Sequence, residues 1–337
     1  MTEKPVFQIG VTFHSFTNEY TSYKWSFEDL MQMAADLGRG VEIVGPSHHR
    51  GFPEVTEAPG PGRTHITYGD PDEFDRTFKS SVERNGLIPT CYGTYADPFM
   101  LPHRDLTPDE IFDYTIPQIK GAAKLGFPIA RLQYFTYEIG ERLVPYAEKY
   151  KVKLGYELHM PLMIKSEHTQ KLIAQVKRVS SEYLGIIPDG GIFGRSITNR
   201  TLKIAKGYGV PQNLVDKAVE LWGQHTPLEE AVETMKEMGA DEQTIAWVDF
   251  VWDMNGWSNP QDMAEFRDYL IHFHGKFYSM ENGEEPNLDY EGVVRALLDL
   301  GYTGWISSEY EGEPTDTLAV VQAQQAMLKR YIKKYAG

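Results

Sequence analysis

Residues 153–191 read KLGYELHMPLMIKSEHTQKLIAQVKRVSSEYLGIIPDGG and have the pattern of a strand, a helix and a second strand. The two apolar runs, LGYEL and LGIIP, have the length of buried parallel strands, and the segment between them is typical of a helix. A carboxylate closes each run, Glu157 in the first and Asp189 in the second. Strand–helix–strand units make right-handed parallel crossovers. The stretch therefore predicts a parallel sheet with acidic side chains at the carboxyl ends of its strands.

The same alternation extends over the whole chain and gives eight strand-like runs. The other six are FQIGVTF, GVEIVGP, LIPTCYG, IARLQYF, DYLIHFHGKF and GWISSEYEG. Ser26 and Thr107 stand where helix caps belong, and Pro117 predicts a kink or a break in the helix that follows Thr107. A doubly wound open sheet would carry a glycine-rich phosphate turn after its first strand. VTFHSFTNEY stands there instead, so we predict an α/β chain folded as a (β/α)8 TIM barrel.

One connection is much longer than the others, the one between Asp189 and the seventh strand. We predict a single barrel domain over residues 1–337, with a helical insertion over residues 193–268. Four tryptophans fall in the insertion: Trp222, Trp247, Trp252 and Trp257. An aromatic-rich insertion at the catalytic face is either a lid or partner-binding surface, or a helical subdomain with its own core. The sequence leaves both interpretations open.

Composition limits the class of protein. The 337 residues carry a formal net charge of −15, which argues against nucleic acid as a partner because phosphate binders carry basic patches. Cys91 is the only cysteine, so an intrachain disulfide is excluded. MTEKPVFQIG lacks the pattern of a signal peptide, and no apolar run is long enough to span a bilayer. We therefore expect a cytoplasmic protein with no membrane partner.

Four potential metal ligands close the last four strands. They are Glu157, Asp189, His274 and Glu309. Strands five to eight are neighbours in a barrel, and barrel active sites lie at the carboxyl ends of the strands. Three carboxylates and one imidazole suit Mn²⁺ or Mg²⁺ better than a structural zinc site. We prefer His274 to His272 because it lies nearer the strand end, and His272 fits a core histidine lower in the barrel.

Other polar side chains near the strand ends are candidates for catalysis or substrate binding. His159, two residues after Glu157, is either a general base or a hydrogen-bond partner of a ligand. Lys276 either stabilises an oxyanion or pairs with an acidic neighbour. Candidates for contacting a sugar are His48, His49 and Arg50 after the second strand, and Tyr92, Tyr95 and Tyr134 near strands three and four. Each of these has a structural alternative: solvated loop residues for the first three, wall packing for the tyrosines.

With these residues in place, the chain resembles the xylose-isomerase-like barrel superfamily of sugar isomerases and epimerases. The succession E, D, H-x-K and E at strands five to eight carries the resemblance, together with LDYEGVVRALLDLGYTGWISSEYEG at the C-terminal end. The finer resemblance is to the large (α) subunit of bacterial C-glycoside deglycosidases. It is carried by VTFHSFTNEY, GYELH, PDGG, HFHGKF and the long insertion before the seventh strand.

The finer resemblance implies a carbon–carbon lyase that acts on 3-oxo-C-glucosides of phenolic or flavonoid aglycones. It implies Mn²⁺, with Mg²⁺ or Co²⁺ as alternatives, held by Glu157, Asp189, His274 and Glu309, and His159 as the base. It also implies a small second (β) subunit, and no nicotinamide or flavin in this chain. The alternative function is a metal-dependent sugar isomerase or ketose 3-epimerase. Epimerases of this superfamily usually place a histidine shortly after the strand-six aspartate, and PDGGIFGR has none.

Overall fold

The computed structural model describes residues 6–48, 71–96, 98, 103–133 and 136–336. His49, Arg50 and Tyr134, which the sequence suggested as sugar contacts, lie outside the described residues.

Eight parallel strands form a nearly closed barrel, as the sequence predicted. They are Gln8–Thr12 (β1), Gly40–Val44 (β2), Ile88–Gly93 (β3), Ile129–Leu132 (β4), Lys153–Leu158 (β5), Leu184–Pro188 (β6), Phe273–Phe277 (β7) and Trp305–Tyr310 (β8). The hydrogen-bonded order runs from β6 down to β1 and then through β8 to β7. Two isolated parallel bridges join the remaining edges, Ile186 with Leu270 and Asp189 with His274. The second bridge pairs the backbones of two of the predicted ligands, so they lie side by side.

The helices of the described residues cover the outside of the barrel or form the long insertion before β7. They are Thr17–Thr21 (α1), Phe27–Asp36 (α2), Gly45–His48 (α3), Pro71–Asn85 (α4), Pro108–Leu125 (α5), Tyr137–Tyr150 (α6), Glu167–Val179 (α7), Asn199–Gly207 (α8), Gln212–Gly223 (α9), Leu228–Glu237 (α10), Glu242–Met254 (α11), Tyr290–Asp299 (α12) and Thr317–Tyr335 (α13). Ser26 and Thr107 form full capping boxes. The possibility of a break at Pro117 is wrong, because α5 continues through it. In the part of the chain that the structure describes, no helix is long and apolar enough to cross a lipid bilayer.

The barrel interior is small and layered. A compact apolar cluster of Cys91, Ile129 and Ile187, with Ile271 against it, lies inside the barrel and is separate from the large core between strands and helices. Successive side chains of a strand point to opposite faces, so Cys91 points inward and its neighbour Tyr92 points outward. Charged and polar side chains occupy the layers above this cluster, which fixes where a reactive site can lie.

The insertion has a core of its own. Twelve buried residues between Ile197 and Trp252 pack together, and all but Ile197 belong to α8, α9, α10 or α11. Trp222, Trp247 and Trp252 lie in this core, and each ring N–H donates to a backbone carbonyl, of Asn255, Thr201 and Thr226 respectively. The tryptophans therefore stabilise the helical unit itself. The division into one domain with an insertion over residues 193–268 stays a prediction.

The four helices are two copies of one helical hairpin, repeated at a spacing of 30 residues. Gly209 and Gly239 both adopt a positive φ at the turn inside each hairpin, of 70° and 85°. Trp222 and Trp252 end the second helix of each, and the burial pattern of residues 201–210 repeats unchanged in residues 231–240. Trp222 bonds to the end of the second hairpin and Trp252 to the end of the first. These two hydrogen bonds link the two hairpins to each other.

Candidate metal centre and active site

The structure brings all four predicted metal ligands together at the carboxyl ends of β5 to β8. One ligand atom from each of Glu157, Asp189, His274 and Glu309 lies within 4.8 Å of the corresponding atoms of the others, and all four residues are buried. His274 Nδ1 is 2.6 Å from Glu157 Oε1 and 3.5 Å from Glu309 Oε2. Four residues distant in sequence therefore offer their donor atoms to one point inside the barrel.

The donor set fits a divalent cation. Asp189 Oδ2 and Glu309 Oε2 are buried and make no hydrogen bond among the described residues. Buried polar atoms normally have a partner, because leaving them unpaired costs free energy. Carboxylate oxygens with one imidazole nitrogen are the donors that Mg²⁺ and Mn²⁺ accept. Lys276 Nζ lies 3.1 Å from Asp189 Oδ2 and supplies charge, though not a directed hydrogen bond.

The carboxyl groups of this set differ in their pKa. Burial raises the pKa of Glu309 to about 7, against the lowering effects of Lys276 and His274. Burial also raises the pKa of Glu157, but Arg131 and His274 outweigh it and hold that pKa well below its usual range. One carboxyl thus retains a proton near neutral pH while its neighbour is ionised. A cation entering the site would displace that proton.

Lys276 lies inside the site, on the same face of β7 as His274. Its ammonium group is 3.1 Å from Asp189 Oδ2 and 3.2 Å from Glu311 Oε1, and its side chain is 2% exposed. Burial lowers the pKa of Lys276, but the charges of Asp189, Glu311 and Glu309 raise it by more. The net pKa therefore lies well above its usual value. The lysine is therefore a fixed positive charge at the bottom of the mouth. Its predicted contact with substrate stays a prediction.

Arg131 and Glu42 are two charged residues of the site that the sequence analysis did not identify. Arg131, at the end of β4, reaches across to Glu157, with 3.5 Å between Nη1 and Oε2. A side chain at Gly93 would come within 3.1 Å of the Arg131 guanidinium, so the glycine leaves room for it. Glu42 lies in β2 below the ligands and is 1% exposed. The available signal was a single charge within each of two apolar strands.

His272 lies one layer below His274, as expected for a core histidine. Its Nε2 is 3.1 Å from Glu42 Oε2 and 3.0 Å from Ser307 Oγ. Cys91 completes this lower layer, and burial followed by the charge of Glu42 raises the pKa of its thiol to about 12. The structure therefore places His274, and not His272, among the four converging ligands.

His159 follows β5 and is only partly buried. Its Nδ1 lies 2.6 Å from the carbonyl oxygen of Met160. A carbonyl oxygen only accepts hydrogen bonds, so a hydrogen bond here requires a proton on Nδ1. In the neutral ring this leaves the Nε2 lone pair to accept a proton. His159 also helps to lower the pKa of Glu157 and of Glu311, after the larger effects of burial and nearer charges. His159 therefore lies beside the site, and its role as the general base stays a prediction.

His14 and Glu311 form a further pair at the mouth that the sequence analysis missed. His14 Nε2 is 3.1 Å from Glu311 Oε1. Burial lowers the pKa of His14, but Glu311 and Glu309 together raise it by more, so the net shift is upward. Glu311 is two residues beyond Glu309, a spacing that puts both on one face of the strand. That spacing was the signal available in the sequence.

Two predicted substrate contacts lie away from the barrel mouth. Tyr92 is fully buried between β3 and the outer helices, with its ring edge-on to Phe127 at 5.7 Å. His48 is 1% exposed and packs against the rings of Phe13 and Tyr20. Neither side chain is among the converging ligands, and a role in binding substrate stays a prediction for both. The backbone of Tyr95 pairs with Gln118 of α5, and its side chain is partly buried.

Comparison with solved structures places the fold among xylose-isomerase-like TIM barrels. A 3-keto-D-glucoside 4-epimerase from E. coli superimposes with a TM-score of 0.55 at 11% identity, over 96% of this chain and 99% of that one. A D-tagatose 3-epimerase-like protein gives 0.55 at 15% identity over 98% of both chains. A xylose isomerase-like barrel from Mycobacterium smegmatis in complex with magnesium gives 0.53 at 13% identity over 99% of both.

No family model matches the chain, but curated relatives match almost its full length. The 3'-dehydrocarminate deglycosidase alpha subunit of a Microbacterium species is 32% identical, over 98% of this chain and 97% of the relative. A C-glycoside deglycosidase alpha subunit of Arthrobacter globiformis is 31% identical, over 94% of this chain and 89% of the relative. This chain belongs to the family of C-glycoside deglycosidase alpha subunits.

Proposed function

We propose that this chain is the metal-binding catalytic subunit of a deglycosidase that cleaves 3-oxo-C-glucosides of phenolic aglycones, as a carbon–carbon lyase. The observation that carries the proposal is the convergence of Glu157, Asp189, His274 and Glu309 with His159 beside them. A relative that is 32% identical is named for a 3'-dehydro substrate, a name that denotes oxidation at position 3'. This supports a substrate with a ketone at C3.

Carbon–carbon cleavage requires different chemistry from the hydrolysis of an O-glycoside. An O-glycosidase uses a carboxylic acid to protonate the leaving oxygen. A C-glycoside has a carbon there, with no lone pair to protonate. A ketone at C3 makes the C2 proton acidic and places the C1–aryl bond β to the carbanion that forms. Elimination then becomes available, provided that a base reaches C2 and charge on the C3 oxygen is stabilised.

The residues of this site match those requirements. A bound divalent cation would supply Lewis-acid polarisation of the C3 carbonyl. His159 Nε2 accepts the C2 proton, since its Nδ1–H is already given to Met160. The C2–H electrons form the C1=C2 double bond as the C1–aryl bond breaks. An ortho or para phenol reacts as its keto tautomer, in which the carbon joined to C1 carries the phenolic proton. The aryl group then leaves with the electron pair of the C1–aryl bond as a phenolate, which takes up the proton that His159 removed from C2.

Fixed positive charges complete the site around the ketosugar. Lys276 and Arg131 are buried beside the ligands and remain charged. Such preorganised charges stabilise developing negative charge because no solvent has to reorganise around them. Lys276 is the nearer of the two to Asp189, and we assign it contact with the substrate oxygen. The products are the free phenol and a 1,2-unsaturated 3-oxo sugar.

We further propose that the chain works with a second, smaller subunit. The curated relatives are named alpha subunits, which implies a further chain in those proteins. The proposed partner is a small β subunit in a hetero-oligomer. Mn²⁺ is the proposed cation, with Mg²⁺ and Co²⁺ as alternatives that metal analysis separates.

The decisive assay measures release of the aglycone. The protein, isolated with its associated chain and stripped of metal, is incubated with a 3-oxo-C-glucoside with and without Mn²⁺. We expect free phenol only when the cation is present. An epimerised or isomerised ketosugar with no free phenol would reject the lyase and support the isomerase alternative. No bound divalent ion, and no gain of activity on adding one, would reject both.

Two substitutions separate the roles of base and ligand. His159→Ala should retain metal but lose roughly 100-fold or more of the turnover rate, the contribution of a general base. Glu157→Ala should lose metal and activity together. The control is His168→Ala, which removes an exposed histidine on α7 and should leave both properties unchanged. Near-normal rates in His159→Ala would exclude it as the base.

A further inference from the structure

Glu42 is a buried carboxylate for which the proposed reaction gives no role. It stands in the middle of the apolar strand GVEIV and is 1% exposed. Its two oxygens lie close to two histidines, Oε2 at 3.1 Å from Nε2 of His272, just before β7, and Oε1 at 3.0 Å from Nε2 of His274, in β7. A buried carboxylate is retained only where its partners compensate for lost hydration. One of the two partners here, His274, is itself a predicted metal ligand.

The His274 ring has two different sides. Nδ1 faces the donor set, 2.6 Å from Glu157 Oε1 and 3.5 Å from Glu309 Oε2. Nε2 faces away from that set, towards Glu42. A neutral imidazole carries one N–H, so a ring that binds a cation through Nδ1 must carry its proton on Nε2. That buried N–H then needs an acceptor.

Glu42 Oε1 is placed to be that acceptor. Among the described residues, His274 Nε2 has no hydrogen bond, although it is fully buried. Its 3.0 Å separation from Oε1 already suits a hydrogen bond, and only the direction is unfavourable while Nδ1 is bonded to Glu157. Exchanging the Glu157 bond for a cation frees the ring to turn towards Glu42.

We propose that Glu42 is a positioning residue for the metal centre: it accepts the Nε2–H of His274 and so directs the Nδ1 lone pair at the cation. This inference rests on the proposed function, because it assumes that the four ligands hold a cation. His272 fixes Glu42 in turn, since its Nε2 lies 3.1 Å from Oε2 and 3.0 Å from Ser307 Oγ. Carboxylates that orient a metal-bound histidine in this way raise its basicity and fix its tautomer.

A competing use of the same atoms is a second cation. Donor atoms of Glu42, Cys91, His272 and His274 also lie within 4.8 Å of one another. A cation there would take His274 Nε2 as a ligand and remove the proton that Glu42 is proposed to accept. The two arrangements exclude each other, and they differ in the number of ions per chain.

The test compares Glu42→Gln with the wild-type protein and with Glu19→Gln as a matched control. Glu19 is also buried, and its carboxylate accepts a hydrogen bond from Thr317 at 2.6 Å, remote in sequence from the ligands. Mn²⁺ is titrated into each metal-stripped protein, and free Mn²⁺ is followed by electron paramagnetic resonance. Bound ions per chain are counted by mass spectrometry, and the Co²⁺-loaded proteins are compared by visible absorption.

Glu42→Gln should bind Mn²⁺ about 10- to 100-fold more weakly and shift the Co²⁺ absorption bands. Glu19→Gln should match the wild type, which should bind one ion per chain. Unchanged affinity and spectrum in Glu42→Gln would overturn this inference alone, and so would two ions per chain. No binding by the wild type would overturn the proposed function first.

Should Glu42→Gln fail to fold, a crystal structure of the wild type with Mn²⁺ decides the matter. Coordination through His274 Nδ1, with Nε2 bonded to Glu42 Oε1, is the expected result. Coordination through Nε2, or an Nε2 bonded to another group, would overturn the inference.

Discussion

Lys276→Met gives a quantitative test of how charge is balanced in the barrel. The ammonium group is the cation nearest to Asp189 and Glu311, at 3.1 and 3.2 Å, and the lysine is 1% exposed. Methionine keeps most of the volume but leaves both carboxylates without this partner. Removing one member of a buried ion pair costs about 3–5 kcal/mol, because the remaining charge is buried and unpaired.

This free energy converts into a temperature shift. An unfolding entropy of about 2.1 cal/mol/K per residue over 337 residues predicts a Tm of the metal-free variant about 4–7 °C below that of the wild type. Mn²⁺ should then raise the Tm of Lys276→Met by more than that of the wild type, because the cation takes over the charge of the lost lysine at Asp189.

The assay is thermal unfolding at neutral pH with either EDTA or saturating Mn²⁺. Lys171→Met serves as the control, since Lys171 also pairs with a carboxylate, that of Glu167, but both side chains are exposed on α7. Surface pairs contribute little, so this variant should change far less. Equal shifts for the two lysines, or a Mn²⁺ effect that is the same in Lys276→Met and wild type, would refute the reasoning.

Two further predictions concern residues away from the metal ligands. Burial raises the pKa of Glu285 from 4.5 to about 7, against backbone donors that lower it. The folded chain therefore holds a proton that the unfolded chain has lost between these values, and stability from this group falls as pH rises through that window. Glu285→Gln should be more stable than the wild type at pH 8 by up to about 3 kcal/mol, measured by urea unfolding, and the gain should be absent at pH 4. Tyr92→Phe should lose about 1 kcal/mol of stability and leave kcat/KM for the C-glucoside unchanged; a marked fall in kcat/KM with normal folding would return Tyr92 to the substrate site.

The four converging ligands could be predicted from sequence because of where each one stands. Each is preceded by an apolar run with the length of a strand, and the fold brings all strand ends to one face. Neither the exact register nor the barrel diameter was needed for that inference. His159 followed from the same logic, since it stands two residues after Glu157 and shares its face. The pattern therefore predicted which end of the barrel holds the site.

The direction of side chains within apolar strands could not be predicted. LIPTCYG is apolar on both faces, as strands buried on both sides are, so alternation gives no sign of which residues point inward. The structure turns Cys91 inward and Tyr92 outward. His48 was assigned to a polar loop, yet it ends the short helix α3 and packs among aromatic rings. Both placements come from three-dimensional packing that the local sequence does not encode.

The repeated hairpin in the insertion was missed for a different reason. The two copies share a burial pattern more than they share residues, and the identical pairs are Lys206 and Lys236, Gly209 and Gly239, and Trp222 and Trp252. Three identical positions among thirty give little signal in a single sequence. Three of the four tryptophans, Trp222, Trp247 and Trp252, belong to the core of the helical insertion.

Charge inside the barrel ties the fold to the chemistry. Four buried carboxylates, of Glu42, Glu157, Asp189 and Glu309, face two permanent cations, Lys276 and Arg131. Without a metal ion, part of the imbalance is met by protons, on His274 and on Glu309, whose pKa values are both raised. A divalent cation supplies two positive charges at the same place and removes the need for those protons. The group proposed to polarise the substrate ketone is thus also the one that balances the interior charge, so metal removal should lower both activity and stability.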